Sequence, residues 1–376
     1  MGPVKALVLN AGSSSLKVML WQVEGTLPSM PPKALWRKHV EWHDKAIEFD
    51  SVLGSIPDAA SIDVVGHRIV HGGSRFREST RITPEVRDAI AKMGEFAPEH
   101  NRVELAGIQA VERVLRPDTP QVAVFDTAFH ATLAPPAYVY PGPYEWVDQG
   151  IRRYGFHGIS HQYVSRRAAE MLGRDLKSLR LVTCHLGNGC SLAAIRNGAS
   201  VDTTMGFTPL DGVMMGSRSG SVDPGILIAL VRDQGYTADR LDHTLNEESG
   251  LKGVSGVSSD MREVLAAIEM GNERARLAFD VYTHRLIQEI GAMIASVGGI
   301  DALIFTAGVG ENCAPLREIV CRQFSFLGIA IDPARNAETP VDAEISSADS
   351  GARILVIHTE EDWEIARECC RLYNRD

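Results

Sequence analysis

Two rhythms of apolar and polar positions alternate along this chain. Short runs rich in β-branched and large aliphatic residues occupy 5–9, 64–70, 121–125, 181–184, 302–306 and 354–357. Their near-continuous apolarity predicts buried strands. Between them, 84–93, 103–115, 161–172, 260–269 and 274–297 carry helical patterns. Helices that alternate with strands in this way cover a sheet, so the chain reads as α/β.

One pattern occurs twice. Strand 6–9 runs into Asn10-Ala11-Gly12-Ser13-Ser14-Ser15-Leu16 and a second strand-like segment, 17–23. Strand 181–184 runs into His185-Leu186-Gly187-Asn188-Gly189-Cys190-Ser191-Leu192 and then 193–195. Two similar lobes, each opening with such a hairpin, would turn two Gly-rich bends toward one cleft. A third bend, Thr306-Ala307-Gly308-Val309-Gly310-Glu311-Asn312, follows a strand and precedes a helical pattern over 314–324. Bends of this kind let backbone N–H groups approach phosphate, and Lys17 adds a cation to the first. An ordinary hairpin turn is the alternative for the first two. The Walker A spacing is absent, and the third bend lacks the βαβ context and downstream acid of a dinucleotide fingerprint. Three such bends, each after a strand, favour nucleotide binding.

Length and charge narrow the partners. At 376 residues the chain is long enough for two domains. A formal net charge of −10 argues against a nucleic-acid partner while permitting a small anion held by a few local cations. The N-terminus meets Asn10 and a Gly/Ser loop before a signal-peptide core forms. The longest apolar-leaning stretch, 291–305, is broken by glycines and Asp301 and is too short to span a bilayer. Six scattered cysteines without a C-x-x-C pair suggest reduced thiols and a cytoplasmic setting.

Several polar clusters sit where strands end. His67-Arg68-Ile69-Val70-His71 places an arginine at the end of an apolar strand, costly to bury unless an anion or carboxylate meets it. Phe125-Asp126 ends another strand on a carboxylate. Arg152-Arg153-Tyr154-Gly155-Phe156-His157 gathers cations and a histidine before a helix, and Gly216-Ser217-Arg218-Ser219-Gly220 sets an arginine in a flexible loop. Arg68 can instead pair a buried acid, and His157 can be a capping or packing residue. Jointly, two arginines, a histidine and an aspartate around Gly-rich turns match what phosphoryl transfer needs.

The motifs LNAGSSSLK (9–17), HRIVHGG (67–73), FDTAFH (125–130), RRYGFHGISH (152–161), HLGNGCS (185–191), TPLDGVMMGSRSG (208–220) and FTAGVGEN (305–312) run nearly end to end. With them the sequence resembles the acetate/propionate/butyrate kinase family of the actin-like ATPase superfamily. The resemblance implies two actin-like lobes with duplicated ribonuclease H-like cores around a nucleotide cleft. It places 1–127 plus 362–376 in an N-terminal lobe, and 128–361 in a C-terminal lobe that binds nucleotide and dimerises. It implies reversible transfer of the ATP γ-phosphoryl group to acetate, giving acetyl phosphate and ADP by direct in-line transfer, in a homodimer. Magnesium, or manganese in its place, is the implied metal. A propionate or other short-carboxylate kinase, or a catalytically inactive nucleotide-binding regulator, are the alternatives.

By the same resemblance Asp126, Arg68, His157 and Arg218 are catalytic, and Asn10 and Glu361 serve the metal. Lys17, His185, Leu186, Gly187, Asn188, Gly189, Asp260, Met261, Arg262, Gly308, Val309, Gly310, Glu311 and Asn312 contact nucleotide. Arg68, Val70, Phe156 and Pro209 form the substrate pocket. Departures from the family pattern stand at Glu99, in a segment associated with the acyl pocket, at Ser221, and at Glu360-Glu361, where two acids compete for the metal role. Glu99 can face solvent, pair a cation, or mark a different substrate. Residues 23–62 match poorly and are expected to form a peripheral loop.

Overall fold

A computed structural model describes residues 2–12, 15–41, 48–93, 98–338 and 341–374, the side chains of 98–101 excepted. Its strands are β1 (Val4–Ala11), β2 (Ser15–Val23), β3 (Trp36–Glu41), β4 (Val64–Ile69), β5 (Thr80–Arg81), β6 (Gln121–Phe125), β7 (Arg180–Leu186), β8 (Cys190–Arg196), β9 (Ala199–Thr203), β10 (Ala302–Thr306), β11 (Ala343–Glu344) and β12 (Arg353–Val356). The chain divides into two compact units. Met1–Ala131, Phe156–Tyr163 and Glu360–Asp376 form the first, and Thr132–Gly155 and Val164–Thr359 the second.

Each unit is built on a six-stranded mixed sheet, and the two sheets share one plan. The first runs β3-β2-β1-β4-β6-β5 and the second, read in the same sense, β9-β8-β7-β10-β12-β11. In each, three antiparallel strands lead into two parallel ones, and a two-residue antiparallel strand closes the edge. The repeated strand–turn–strand pattern thus marks a whole duplicated topology. The parallel strands β6 and β10 are buried at every position, as parallel strands covered on both faces must be. The edge strand β3 alternates exposed and half-buried residues.

The poorly matching stretch 23–62 is no mere peripheral loop. It supplies β3, and its helix Phe49–Gly54 buries Phe49, Val52 and Leu53 against Leu7, Leu9, Leu16 and Val65. Apolar spacing over six residues is too short to announce such a helix. Two helices position the first unit's polar residues. Pro98–Val114 carries Ala110 and Val111 into that same core. Glu361–Tyr373 packs closely on β4 because position 66 is glycine, where a Cβ would lie 2.5 Å from Cys369 Sγ and 2.7 Å from an Ile365 methyl. Trp363 meets Trp21 edge to face at 5.7 Å and fixes the start of that helix over β2. No helix among the described residues is long and apolar enough to cross a membrane.

Candidate functional site

In the first unit the expected residues collect at the carboxyl ends of parallel strands, where open α/β sheets place their ligands. Arg68, on β4, donates from Nη2 to Asp126 Oδ2 at 2.5 Å and from Nη1 to the Ala11 carbonyl at 3.2 Å. Asp126 immediately follows β6 and is buried. Burial works against the arginine's charge, but Asp126 and, next, Glu361 more than offset it and hold Arg68 firmly protonated. The pairing of Arg68 with a buried acid is therefore realised, and that acid is itself one of the residues the sequence singled out. Its Nε is buried with no hydrogen-bond partner among the described residues.

Asn10, near the end of β1, lies opposite Lys17 on β2. Its Nδ2 donates to Asp362 Oδ1 at 2.6 Å, both residues being buried. Burial pushes the Asp362 carboxyl up, against the pull of Lys17 and Asn10. Glu361 and Asp362 share the first turn of the helix Glu361–Tyr373, where backbone N–H groups favour anionic side chains. Glu360 precedes that turn.

Val70 and Phe156 are both buried, and the His71 ring lies edge to face with Phe156 at 5.4 Å. His157 adopts a left-handed backbone, φ 55°, just before the helix Gly158–Met171. Such strain in a non-glycine residue persists only where its surroundings enforce it. Gly158 donates its N–H to the Asp126 carbonyl at 2.9 Å, and a Cβ there would sit 2.2 Å from that oxygen. The glycine is what lets the histidine segment close on Asp126. Gly158→Ala is expected to cost about 1–3 kcal/mol as the backbones are forced apart. A melting curve checks this, and an unchanged midpoint would contradict the close approach.

The second unit holds the remaining expected residues. His185 and Leu186 end β7, and the tight turn beyond closes through Gly187 N–H to the Gly189 carbonyl at 3.0 Å. The arginine loop lies on this turn: Gly216 donates to the Asn188 carbonyl at 3.0 Å. A Cβ at 216 would meet Asn188 Oδ1 at 2.2 Å and the Ser259 carbonyl at 2.9 Å, so the segment entering Asp260 converges there as well. Asp260 caps the helix Met261–Glu269 through Arg262 N–H at 2.8 Å and pairs the exposed Arg262 guanidinium at 2.6 Å. Burial disfavours the Arg218 charge; Glu247 and Cys190 only partly oppose this. No ion pair to Arg218 occurs among the described residues.

The third Gly-rich bend is a short helix. Ala307 takes φ 64° directly after β10, and Ala307–Asn312 then turns helically, so the left-handed position falls on Ala307 and not on a glycine. A Cβ at Gly310 would lie at ordinary contact distance, 3.6 Å, from the Cys184 carbonyl and from Leu186 Cβ, so this segment lies beside the end of β7. Pro209 lies in the second unit, Val70 and Phe156 in the first. The Glu99 side chain falls outside the described residues, as do Ser13 and Ser14 of the first turn.

Three residues were not singled out by sequence reasoning. Asp362 is the acid that meets Asn10. Arg317, fully buried, donates to the Gly310 and Glu311 carbonyls at 2.8 and 2.7 Å and to Asn336, and so anchors the Ala307–Asn312 segment. Glu104, on Pro98–Val114, is 3% exposed and accepts the Val70 N–H at 2.8 Å. An acid or arginine at an otherwise apolar helix position was the available signal for the last two.

The Acetokinase family profile matches residues 43–367. The acetate kinase of Gloeobacter violaceus is 57% identical over 97% of this chain and 98% of its own length; that of Trichormus variabilis is 54% identical over 99% and 100%. Among solved structures, Porphyromonas gingivalis acetate kinase superposes with a TM-score of 0.88 at 40% identity, covering 98% of this chain and 99% of its own. A propionate kinase from Francisella tularensis gives 0.86 at 35% identity with the same coverage. On fold, motifs and relatives alike, the chain belongs to the acetokinase family.

Proposed function

We propose that the protein is an acetate kinase, a phosphotransferase that moves the γ-phosphoryl group of ATP to acetate and back. A carboxylate oxygen attacks phosphorus in line, one O–P bond forms, and the bond to the ADP oxygen breaks with its electron pair leaving on ADP. A carboxylate is already ionised at neutral pH, so no general base is required. What the reaction needs is positive charge to hold two mutually repelling anions in line, and Arg68 and Arg218 supply it. Asp126 orients Arg68 through the 2.5 Å bond and takes no proton. His157 donates toward charge that develops at the transferring group. In the second unit the converging backbone at 185–189, 260–262 and 308–312 holds the nucleotide.

The observation that carries this reading is the Arg68–Asp126 pair, set at strand ends beside the buried apolar side chains of Val70 and Phe156. Formation of acyl phosphate from ATP and acetate, trapped as the hydroxamate, tests it. No acyl phosphate from any short carboxylate would remove the enzymatic reading and favour the regulator. Curated relatives of 50–57% identity are named acetate kinases, which favours acetate, while the propionate kinase neighbour keeps the next homologue as the second reading.

The donor set fits magnesium. Asn10, Glu361 and Asp362 offer hard oxygen ligands, too few to enclose an ion, so most of the shell would be water and phosphate. When bound, such an ion screens the phosphate charge. Glu361, half-buried, is better placed to serve it than Asp362, whose Oδ1 is engaged with Asn10.

A homodimer is supported by the helix Pro224–Gln234. Its sequence is strongly apolar, yet none of its residues is buried, and Ile226, Ile228 and Val231 are 52%, 61% and 49% exposed. A helix apolar over so much of its surface belongs against a partner. Ile228→Glu is expected to shift the mass by light scattering from dimer to monomer; a dimer of unchanged stability would place the contact elsewhere.

A further inference from the structure

Glu104 is a buried acid with no role in the reaction described above. It projects from the helix Pro98–Val114 into the site's own environment, and one oxygen, Oε1, accepts the Val70 N–H at 2.8 Å. The other, Oε2, is buried without a partner among the described residues. The charged groups bearing on it are Arg68 from β4 and Asp126 from the end of β6. Glu361, from the helix Glu361–Tyr373, acts in turn on Arg68. Arg68 already has one carboxylate at 2.5 Å, so a second full negative charge here would neutralise the cation that must receive an anionic substrate.

We propose that Glu104 is a positioning residue of the carboxylate site: in its neutral form it ties Val70 to the helix and leaves the Arg68 charge available to the acid. Val70 follows β4 directly, two positions beyond Arg68, so the bond to its N–H fixes both the pocket wall and the end of the strand that carries the arginine. Consistently, burial pushes the Glu104 carboxyl up to about 8, with the Val70 N–H and Arg68 opposing. At neutral pH the group keeps its proton; above about 8 it acquires the charge that competes for Arg68.

The inference rests on the carboxylate kinase reading, and two measurements separate their failures. In the wild-type protein, KM for acetate is expected to rise about tenfold between pH 7.5 and 9.5 as Glu104 ionises. Glu104→Gln, which keeps the shape and the acceptor for Val70, should hold KM level over that range. The second measurement needs no activity. A carboxyl whose folded pKa is raised costs stability as pH rises from its unfolded value, about 4.5, through the folded value near 8. The melting midpoint of Glu104→Gln relative to wild type should therefore climb between pH 5 and 8 and then level off. A wild-type KM flat from 7.5 to 9.5, a variant that keeps the wild-type rise, or a pH-independent difference in melting would each overturn the proposal. If the wild type makes no acyl phosphate, the kinase reading fails and the Glu104 inference stands or falls on the melting comparison.

Discussion

Replacing Arg68 with alanine is expected to lower kcat for carboxylate phosphorylation by about 10³-fold or more, the scale on which a single arginine contributes to phosphoryl transfer. It should also destabilise the protein. Arg68 is the charge partner of Asp126, which is buried and 2.5 Å away. Removing one member of a buried pair leaves the other uncompensated, at a cost of about 3–5 kcal/mol. The Arg68→Ala, Asp126→Asn double variant should recover part of that stability and none of the turnover. Turnover within tenfold of wild type in Arg68→Ala would take the residue out of the reaction. Failure of the double variant to recover stability would say that the pair is not what holds Asp126.

Arg218→Ala is expected to lower kcat as severely with the opposite structural signature. Arg218 is half-buried and has no ion pair among the described residues, and burial disfavours its charge. The loop that presents it is secured by backbone bonds instead: Met215 to the Arg218 carbonyl at 3.1 Å, Leu251 to the Met215 carbonyl at 2.9 Å and Ser249 to the Ser217 carbonyl at 3.0 Å. Gly250, at φ 62°, sits where a Cβ would be 2.3 Å from the Met215 carbonyl, so the loop has little room to relax. A cation kept in place at a cost to the fold is one held for a ligand. Arg218→Ala should melt at or above the wild-type temperature while losing about 10³-fold in turnover. A clear loss of stability, or normal turnover, would contradict this account. Together the two arginine variants separate charge that holds the protein from charge that the protein holds for its substrate.

Much of the fold was legible because its inner strands are buried on both faces. β6 and β10 agree with the apolar runs residue for residue, and the long helix Glu273–Val297 begins within one residue of its apolar pattern. The duplication was visible only in its opening hairpins. β5 and β11, which complete the correspondence, are two residues long and have no period to read. The helix Phe49–Gly54 was missed for the same reason, although its apolar residues enter the core.

The site was legible where a motif joins an unusual residue to a strand end, as at Arg68 and Asp126. It was illegible where the partner comes from far along the chain. Asn10 meets Asp362 across 352 positions, and nothing in either segment names the other. Glu104 and Arg317 touch backbone, Val70 in one case and Gly310 and Glu311 in the other, and backbone acceptors and donors leave no trace in sequence. At 306–312 the glycines suggested a bend, whereas the left-handed residue is Ala307 and the segment continues as a helix.

The central claim is that this site phosphorylates a short carboxylate and fits acetate best. It is tested most directly by kcat/KM for acetate, propionate and butyrate, measured side by side on the wild-type protein with ATP. With the buried side chains of Val70 and Phe156 as the proposed walls of the acyl site, each added methylene is expected to cost about tenfold or more. Acetate ranking first, with a fall at each step, is the predicted result. Propionate or butyrate equal to or above acetate would contradict the acetate assignment, and activity with none of the three would contradict the account as a whole.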